Sequence, residues 1–191
     1  MMPSLRRARR DDVPTIAELY RFSSGGVADY VWQKLAAPDE SPLEVGMRRY
    51  AREGTAFSYE NCLVADDDGA TIGMINAFPV RAPTDPADIA AEDPVLRPYA
   101  ELEAVDSLYV SGIALQPPYR GQGVGTRMML AMRERARGDG LARLSLIAFE
   151  QNPASVRLYE RLGYAVVDRR AVVPHPLIQY TGDALLMVAP A

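Results

Sequence analysis

The amino-acid sequence predicts an α/β (α+β) fold in which a mixed sheet is covered by helices on its faces. Short runs of β-branched and apolar residues alternate along the chain with segments whose apolar residues recur at helical spacing. An Asp-Gly hairpin signal in the first half and a strand, helix, strand, strand order in the second support this interpretation. With 191 residues, the chain can bury the core of one domain, which we expect to span residues 1–191.

The first predicted elements are a short strand over residues 4–8 and the helix that follows it. Asp11 or Asp12 is placed to cap the N-terminus of that helix, which we expect to continue to about Phe22. A Ser-Ser-Gly-Gly sequence then ends the helix. Two more helices are predicted near residues 28–35 and 42–52.

Residues 62–65 and 71–78 are predicted to be the two strands of a hairpin. They are joined across Asp-Asp-Asp-Gly at residues 66–69, and an Asp-Gly pair tolerates the positive φ values of tight turns. We expect the three aspartates to lie in a solvated turn and not to form a metal site.

The segment of residues 79–104 differs in composition from the rest of the chain and is predicted to be an insertion. Its prolines should prevent a continuous strand and limit any helix to short pieces. These prolines are Pro79, Pro83, Pro86, Pro94 and Pro98. Between residues 81 and 106 the local charge is −5, from two arginines and seven acidic residues: Asp85, Asp88, Glu92, Asp93, Glu101, Glu103 and Asp106.

The second half begins with a predicted strand over residues 105–115 and a helix over residues 124–137. Glycines shortly after residue 137 end this helix. Its apolar face consists of Val124, Met128, Ala131 and Ala136. The remaining predicted elements are strands over residues 143–149, 165–173 and 184–188 and a helix over residues 155–162.

A glycine-dense loop joins the strand that ends at residue 115 to the helix that begins near Val124. Gly121, Gly123 and Gly125 remove side chains where backbone N–H groups must approach a ligand, and the first helical turn carries partial positive charge. This arrangement predicts a cradle for a phosphate or pyrophosphate. A P-loop is disfavoured because no lysine follows the last glycine, and the dinucleotide fingerprint fails because Thr126 stands where its last glycine would be.

A second motif follows the strand at residues 143–149. Residues 152–164 read NPASVRLYERLGY, and residues 120–125 in the loop read RGQGVG. These segments resemble two elements of the GNAT superfamily of N-acetyltransferases, namely its Arg/Gln-x-x-Gly-x-Gly pyrophosphate loop and its Asn-x-x-(Ala/Ser)-x-x-x-Tyr-x-x-x-Gly-(Phe/Tyr) element. The resemblance covers nearly the whole chain and is specific from Leu108 to Tyr164.

The resemblance implies a mostly antiparallel central sheet with helices on both faces and an acetyl-CoA-dependent N-acetyltransferase that acts directly on a primary amine. The pyrophosphate is then expected on the amides of the glycine loop, held more by backbone groups than by side chains. The residues that the resemblance assigns to cofactor binding are Ile113, Leu115, Arg120, Gly121, Gln122, Gly123, Val124, Gly125, Thr126, Asn152, Ser155 and Tyr159.

Two catalytic roles follow from the same resemblance, for the backbone of Ile113 and for the side chain of Tyr159. The pantetheine arm would pair with the backbone of residues 113–115 where the sheet splays, and an N–H around Ile113 would stabilise the oxyanion. Ile113 and Leu115 can also be plain core residues, since side chain and amide act separately.

The Tyr159 phenol would donate a proton or hydrogen bond to the leaving sulfur, although a tyrosine packed against the sheet is the simpler alternative. Asn152 can contact the cofactor, cap a helix, or do both.

The sequence does not identify which residue acts as the general base. Some members of the superfamily use a glutamate on the strand before the loop, but that position is Tyr109 here. Glu103 and Asp106 lie near the start of the same strand and could act through water. His175 has a minority chance of reaching the acceptor, and Cys62 is most simply a buried strand residue. One cysteine and one histidine cannot build a His/Cys zinc site within one chain, so no metal is predicted.

The competing hypothesis is a non-catalytic acyl-CoA-binding sensor or scaffold of the same fold, and a nucleotide-binding enzyme is a distant third. A formal net charge of −4 argues against nucleic acid as an obligate partner, and no apolar run approaches the length of a membrane span. We therefore expect a cytoplasmic protein. An exposed late strand pair could support a homodimer.

The amine acceptor is not identified by the sequence. The acidic segment around residues 81–106 could line the amine side of the cleft and attract a cationic acceptor, with Glu101 and Glu103 as the carboxylates to test. A solvated acidic loop without a ligand is at least as good an account of the same charges.

Overall fold

The computed structural model describes residues 2–83 and 92–191, which form an α/β fold with a seven-stranded sheet. The sheet is mixed and mostly antiparallel, as predicted, because β4 and β5 pair in parallel whereas β1–β2, β2–β3, β5–β7 and β6–β7 pair antiparallel. Its strand order is β1-β2-β3-β4-β5-β7-β6. The strands are β1 Ser4–Arg7, β2 Cys62–Asp67, β3 Ala70–Val80, β4 Ser107–Leu115, β5 Arg143–Phe149, β6 Ala165–Ala171 and β7 Asp183–Pro190.

The described parts of the chain contain one short helix within the segment predicted as an insertion, and the other helices lie close to their predicted positions. The helices are α1 Val13–Ser23, α2 Val27–Leu35, α3 Pro42–Tyr50, α4 Arg97–Glu101, α5 Val124–Gly138 and α6 Pro153–Arg161. None of these helices is both long enough and apolar enough to cross a bilayer.

The chain divides into two compact units. The first contains the residues up to Ala77 together with Ser111–Leu130, and the second contains the described residues of Phe78–Val110 together with Ala131–Ala191. In the first unit, α1, α2 and α3 bury apolar side chains in a core that also contains Val64 and Met74, which are cross-strand partners. In the second unit, β5 and β7 bury Leu146 and Met187, which also face each other across the ladder.

The predicted apolar face of α5 is largely confirmed. Val124, Met128 and Ala136 are buried, but Ala131 is only half-buried and Met132 is buried beside it. A helix stripe about 100° wide takes in neighbouring positions of this kind, so a prediction from periodicity can miss by one residue at its edge.

The hairpin between β2 and β3 is confirmed at the predicted turn. Asp68 and Gly69 have φ values of 50° and 89°, as a tight turn with two positive φ angles requires. The turn is held by the Asp66 carboxylate, which accepts the Gly69 N–H at 2.8 Å. The aspartates there have partners in the protein: Asp66 binds Arg6, and Asp67 accepts the Tyr119 hydroxyl.

The prediction that Asp11 or Asp12 caps the first helix is confirmed for the position, because Asp12 is the N-cap residue of α1, but it is wrong for the side chain. Asp12 precedes α1 but makes no side-chain capping hydrogen bond. Its carboxylate instead receives the Arg6 guanidinium through two bonds of 2.8 and 2.9 Å, the Arg9 N–H and the Thr71 hydroxyl. Bonding to Arg6 holds the pKa of the Asp12 carboxyl far below its ordinary value. A long-range ion pair has therefore replaced the local cap.

We expect Asp12→Asn to destabilise the protein at neutral pH by about 3 kcal/mol, since removing one partner of a largely buried ion pair leaves the other uncompensated. Because folding lowers the pKa of Asp12, its stabilisation is complete above the ordinary carboxyl pKa of about 3.9 and is lost as the pH falls below it. Urea unfolding at pH 7 and at pH 3 should therefore give a smaller difference from wild type at pH 3. The exposed neighbour provides the control variant Asp11→Asn, and an equal loss for Asp12→Asn at both pH values would contradict the assignment.

The segment predicted as an insertion is only partly described, because Asp85, Pro86 and Asp88 lie outside the described residues. β3 continues two residues into this segment, through Pro79 to Val80, and α4 is a helix of only five residues, as the prolines predicted. The charges of the segment are partly engaged within the protein. The Glu101 carboxylate forms a 2.8 Å salt bridge with Arg170, and the Asp93 carboxylate accepts two backbone N–H groups.

Candidate functional site

The glycine loop connects β4 to α5 within the first unit. Gly121 and Gly123 have φ values of 72° and 80°, a region that L-residues rarely adopt. A Cβ atom at either position would meet no heavy atom of the protein within 4 Å. The backbone conformation therefore requires these glycines, and the space in front of them is open.

The backbone N–H groups of residues 121–126 have the features expected of an anion-binding site. In the part of the chain that the structure describes, none of these six amides has a hydrogen-bond acceptor, and the first amide with one is Arg127, which donates to the Gly123 carbonyl at 3.1 Å. Unpaired amides at the head of a fifteen-residue helix, together with the helix dipole, favour a bound anion.

Side chains of the loop hold it in place through local hydrogen bonds. Arg120 Nε donates to the Leu115 carbonyl at 2.9 Å, and Gln122 Nε2 donates to the Pro118 carbonyl at 2.7 Å. Both side chains are thus used to shape the loop. This arrangement agrees with the expectation that any ligand here is held mainly by backbone amides.

β4 carries the predicted backbone contacts just before the loop. Its parallel register with β5 covers only Ser107–Val110, while β4 itself continues to Leu115. The side chains of Ile113 and Leu115 are half-buried, and their Cδ1 atoms lie 4.0 and 3.8 Å from where a Cβ on Gly125 would be. Their side chains therefore pack against the start of α5, as the simpler alternative predicted, and the proposed role of the Ile113 N–H stays a prediction.

The second motif forms α6 in the second unit. Asn152 caps this helix, because its Oδ1 accepts the Ser155 N–H at 3.3 Å. The cap and the following Pro153 start the helix two residues before the predicted Ser155. The capping role of Asn152 is thus confirmed, whereas cofactor contacts of Asn152 and Ser155 stay predictions.

Tyr159 lies on the buried side of α6. Its side chain is 9% exposed, and its ring centroid is 6.0 Å from that of Tyr164. Burial raises the pKa of the Tyr159 phenol to about 12, so the hydroxyl is protonated at neutral pH and can act as a donor. The packed position of Tyr159 is thus compatible with both of its predicted roles.

The candidates for the general base occupy different environments. Glu103 and Tyr109 line one cavity in the second unit, whereas the structure exposes Asp106 with a φ of 56°. His175 Nδ1 accepts the Leu177 N–H within its own loop at 3.2 Å. Cys62 is buried, as predicted. Among the described residues, no cluster of histidine, cysteine and carboxylate side chains could hold a metal ion.

Two further residues of that cavity escaped prediction from the sequence. Tyr99 and Ser145 line it together with Glu103 and Tyr109. No local motif marks either residue, because they come from α4 and β5, which are far apart in the chain. Only the pairing of β4 with β5, which places Tyr109 opposite Ser145, could have indicated their proximity.

Comparison with known proteins identifies the family. The profile described as "Acetyltransferase (GNAT) family" matches residues 28–164, more than half of the chain. A mycothiol acetyltransferase of Streptosporangium roseum is 39% identical over 62 residues, which are 32% of this chain and 18% of that protein. The thialysine N-ε-acetyltransferase of Mus musculus is 35% identical over 57 residues, 30% of this chain and 34% of that protein. The chain thus matches well under half the length of these curated relatives.

Solved structures show the same fold. The PaiA N-acetyltransferase of Thermoplasma acidophilum, solved in complex with coenzyme A, superimposes with a TM-score of 0.59 over 100% of both chains at 16% sequence identity. With the profile match over residues 28–164, the chain belongs to the GNAT family of acetyltransferases.

Proposed function

We propose that this chain is an acetyl-CoA-dependent N-acetyltransferase that transfers an acetyl group directly to a primary amine. The observation that carries the proposal is the row of unpartnered backbone amides over residues 121–126 at the head of α5. Membership of the family and the names of the mycothiol and thialysine acetyltransferases support the reaction class.

The residues of the loop fit a pyrophosphate-bearing cofactor. Six open amides and a helix N-terminus suit its charged oxygens, and the positive φ of Gly121 and Gly123 keeps side chains out of the way. The stretch of β4 beyond its register with β5 offers backbone groups to an extended pantetheine arm. Acetyl-CoA would supply an activated acetyl thioester at this position.

The protein must also overcome the protonation of the amine. At a reference pKa near 10.4, forming the free amine at pH 7 costs about 4 to 5 kcal/mol, so a proton acceptor at the amine is valuable. Glu103 is the carboxylate that lines a cavity beside Tyr109, the position where other family members are expected to carry a base. We assign the proton-accepting role to Glu103, directly or through water.

Tyr159 is best suited to hydrogen bonding with the departing sulfur. A phenol with a pKa of about 12 does not readily give up its proton to a thiolate whose conjugate acid has a pKa around 8.5. The gap of roughly 3.5 units, about 5 kcal/mol, favours a charge-assisted hydrogen bond over complete transfer. We assign the Ile113 N–H to the negative charge that develops on the thioester carbonyl oxygen.

The test is calorimetric titration with acetyl-CoA, followed by a panel of primary amines with free thiol as the readout. We expect saturable binding and amine-dependent thiol release above the rate without amine. Binding without release for any amine would support the non-catalytic acyl-CoA-binding alternative. Absence of acetyl-CoA binding by the folded protein would contradict the proposal as a whole. A cytoplasmic location and a homodimer stay predictions from the sequence.

A further inference from the structure

Arg49, near the end of α3, carries a positive charge that no described residue balances. It is half-buried, and within the described structure no carboxylate pairs with its guanidinium and no oxygen accepts its N–H groups. The nearby charges of Arg48 and Arg52 have the same sign, and Arg48 is already paired with Glu40 at 2.9 Å. Burial lowers the pKa of the Arg49 guanidinium, because its charge is partly removed from water without compensation. A bound anion would compensate this charge.

The contact that the described structure does give to the Arg49 guanidinium is with an aromatic ring. The central carbon of the guanidinium lies over the Phe57 ring, 5.6 Å from the ring centroid. This contact is attractive, but a ring face offers no lone pair to the five N–H donors of an arginine. Two of these donors can bind one carboxylate in parallel, and they are available to a ligand.

Aromatic packing connects Arg49 to β4 within the first unit. The Phe57 and Tyr20 rings meet edge to face, with centroids 5.8 Å apart. The Arg49 charge opposes the rise that burial gives to the pKa of the Tyr20 phenol, so the guanidinium lies near this ring as well. Tyr20 lies directly against β4, because a Cβ on Gly112 would come within 2.9 Å of two carbons of the Tyr20 ring. Arg49 is therefore joined to β4 through neighbouring aromatic side chains.

The part of β4 that Tyr20 contacts also has a proposed role in the reaction. Gly112 precedes Ile113, whose N–H we assign to the negative charge that develops on the thioester carbonyl oxygen. Arg49 and the three residues that connect it to this point of the strand are each half-buried, so each keeps surface that a ligand can reach. All of them lie in the first unit together with the glycine loop. A cation with open hydrogen-bond donors and an aromatic surface thus adjoin the strand that would hold the thioester.

We infer that Arg49 binds a carboxylate of the acceptor, so that the substrate is a primary amine that also carries a carboxylate. The inference rests on the proposed function and names its substrate class. The carboxylate accepts N–H groups of the Arg49 guanidinium, the carbon chain lies against the Phe57 and Tyr20 rings, and the amine lies beside Gly112. The carboxylate is unchanged by the reaction and serves to orient the amine.

The charge of this site disfavours other acceptor classes. A polyamine would bring a second cation to a place where the neighbouring arginine charges are already positive. A simple alkylamine would add no negative charge at Arg49. A phosphate group carries nearly two negative charges at neutral pH, and one guanidinium balances only one of them. Arg48 is held by Glu40, and Arg52 is exposed to water.

The test compares amino acids with a terminal amine, from glycine to 6-aminohexanoate, with their carboxamides, and thiol release is the readout. Each amide has the shape of its acid without the charge, and rates are expressed per free amine. At the chain length that fits the site, we expect kcat/KM for the acid to exceed that for the amide by about 10- to 100-fold, mainly through KM, as hydrogen bonds to a charged group provide. The aminoalkyl phosphate of that length should react less well than the acid, and the reverse order would overturn the carboxylate assignment in favour of a phosphate.

Two arginines of the same region provide a matched pair of variants. Arg49→Met keeps the length of the side chain without its charge and should abolish the preference for the acid while leaving kcat/KM for the amide nearly unchanged. Arg52→Met removes an equal charge from an exposed side chain three residues further on and should keep the preference. Arg49→Lys is the second variant if Arg49→Met does not fold. It retains the charge without the paired donors and should keep only part of the preference.

Thermal unfolding distinguishes this binding role from a packing role. A half-buried charge that is not compensated does not stabilise a fold, so Arg49→Met should unfold at or above the wild-type temperature. If Arg49 served only to cover the Phe57 ring, the variant would be less stable and would keep the preference for the acid, which would overturn the inference.

The outcomes separate this inference from the proposed function. Equal kcat/KM values for acid and amide at every chain length, or a preference that survives in Arg49→Met, would overturn the carboxylate site while thiol release still upheld the transferase. A loss of acetyl-CoA affinity in Arg49→Met, measured by calorimetry, would assign the guanidinium to the cofactor and would also overturn it. If no amine reacted, saturation-transfer NMR with the same amino acids alone would decide the site. Binding to wild type that is lost in Arg49→Met supports it, and absent or equal binding refutes it.

Discussion

Replacing Gly123 with valine is expected to lower the affinity for acetyl-CoA by at least about 100-fold. Gly123 has a φ of 80°, and an L-residue pays roughly 1 to 2 kcal/mol in this region, with a β-branched side chain at the high end. If the loop of the variant keeps its shape, the valine side chain occupies the space of the ligand. If the loop changes its shape, its amides move away from the ligand. Loss of two hydrogen bonds to a charged group, at about 1.5 to 3 kcal/mol each, accounts for the expected loss of affinity.

The matched control for backbone strain is Gly54→Val. Gly54 lies in the same unit with a φ of 65°, and a Cβ there also meets nothing within 4 Å. Both variants should lose similar stability in thermal unfolding, but only Gly123→Val should lose acetyl-CoA binding in calorimetry. A folded Gly123→Val protein with wild-type affinity would show that the amides of residues 121–126 are not the cofactor site.

The elements that could be predicted from the sequence are those whose cause is local. The Asp-Gly turn needs two positive φ angles, and the structure shows them at Asp68 and Gly69. The helix after the glycine loop follows from glycines that open its N-terminus and from an apolar stripe at helical spacing. The same local logic predicted the anion cradle, because unpaired amides at a helix start depend only on the chain that forms them.

The features that escaped prediction depend on distant partners. Asp12 looked like a helix cap, but Arg6, Thr71 and the Arg9 amide offer it more hydrogen bonds than the helix could. The pairing of β3 with β2 ends at Asn76, before Pro79. Pro79 is therefore accommodated in β3, because no hydrogen bond from its backbone nitrogen to β2 is required.

The cavity with Glu103 and Ser145 could not be read from the sequence for a similar reason. It requires α4 to pack beside β4 and β5, and neither the short helix nor its partner strands carry a motif for that contact. The two motifs that carried the family resemblance lie in different elements. Chemical roles could therefore be predicted for the loop and for Tyr159 from the sequence, whereas the cavity became apparent only in the structure.

Tyr159→Phe is expected to lower turnover by about 10² to 10³-fold while leaving acetyl-CoA affinity nearly unchanged. The effect follows from losing a donor that acts only as negative charge develops on the departing sulfur. The substitution keeps the ring in its buried position on α6, so little packing is lost. Single-turnover thiol release separates the chemical step from product release, and calorimetry measures the affinity independently.

Tyr164→Phe is the matched control for this variant, because it removes a phenol from the same aromatic pair. The Tyr164 hydroxyl is buried without a hydrogen-bond partner in the described structure, so its removal should not slow the reaction and should leave stability unchanged or higher. A large loss of turnover confined to Tyr159→Phe assigns the donor to that hydroxyl. Equal single-turnover rates for Tyr159→Phe and wild type would exclude Tyr159 from the chemical step and leave it as a packing residue of α6.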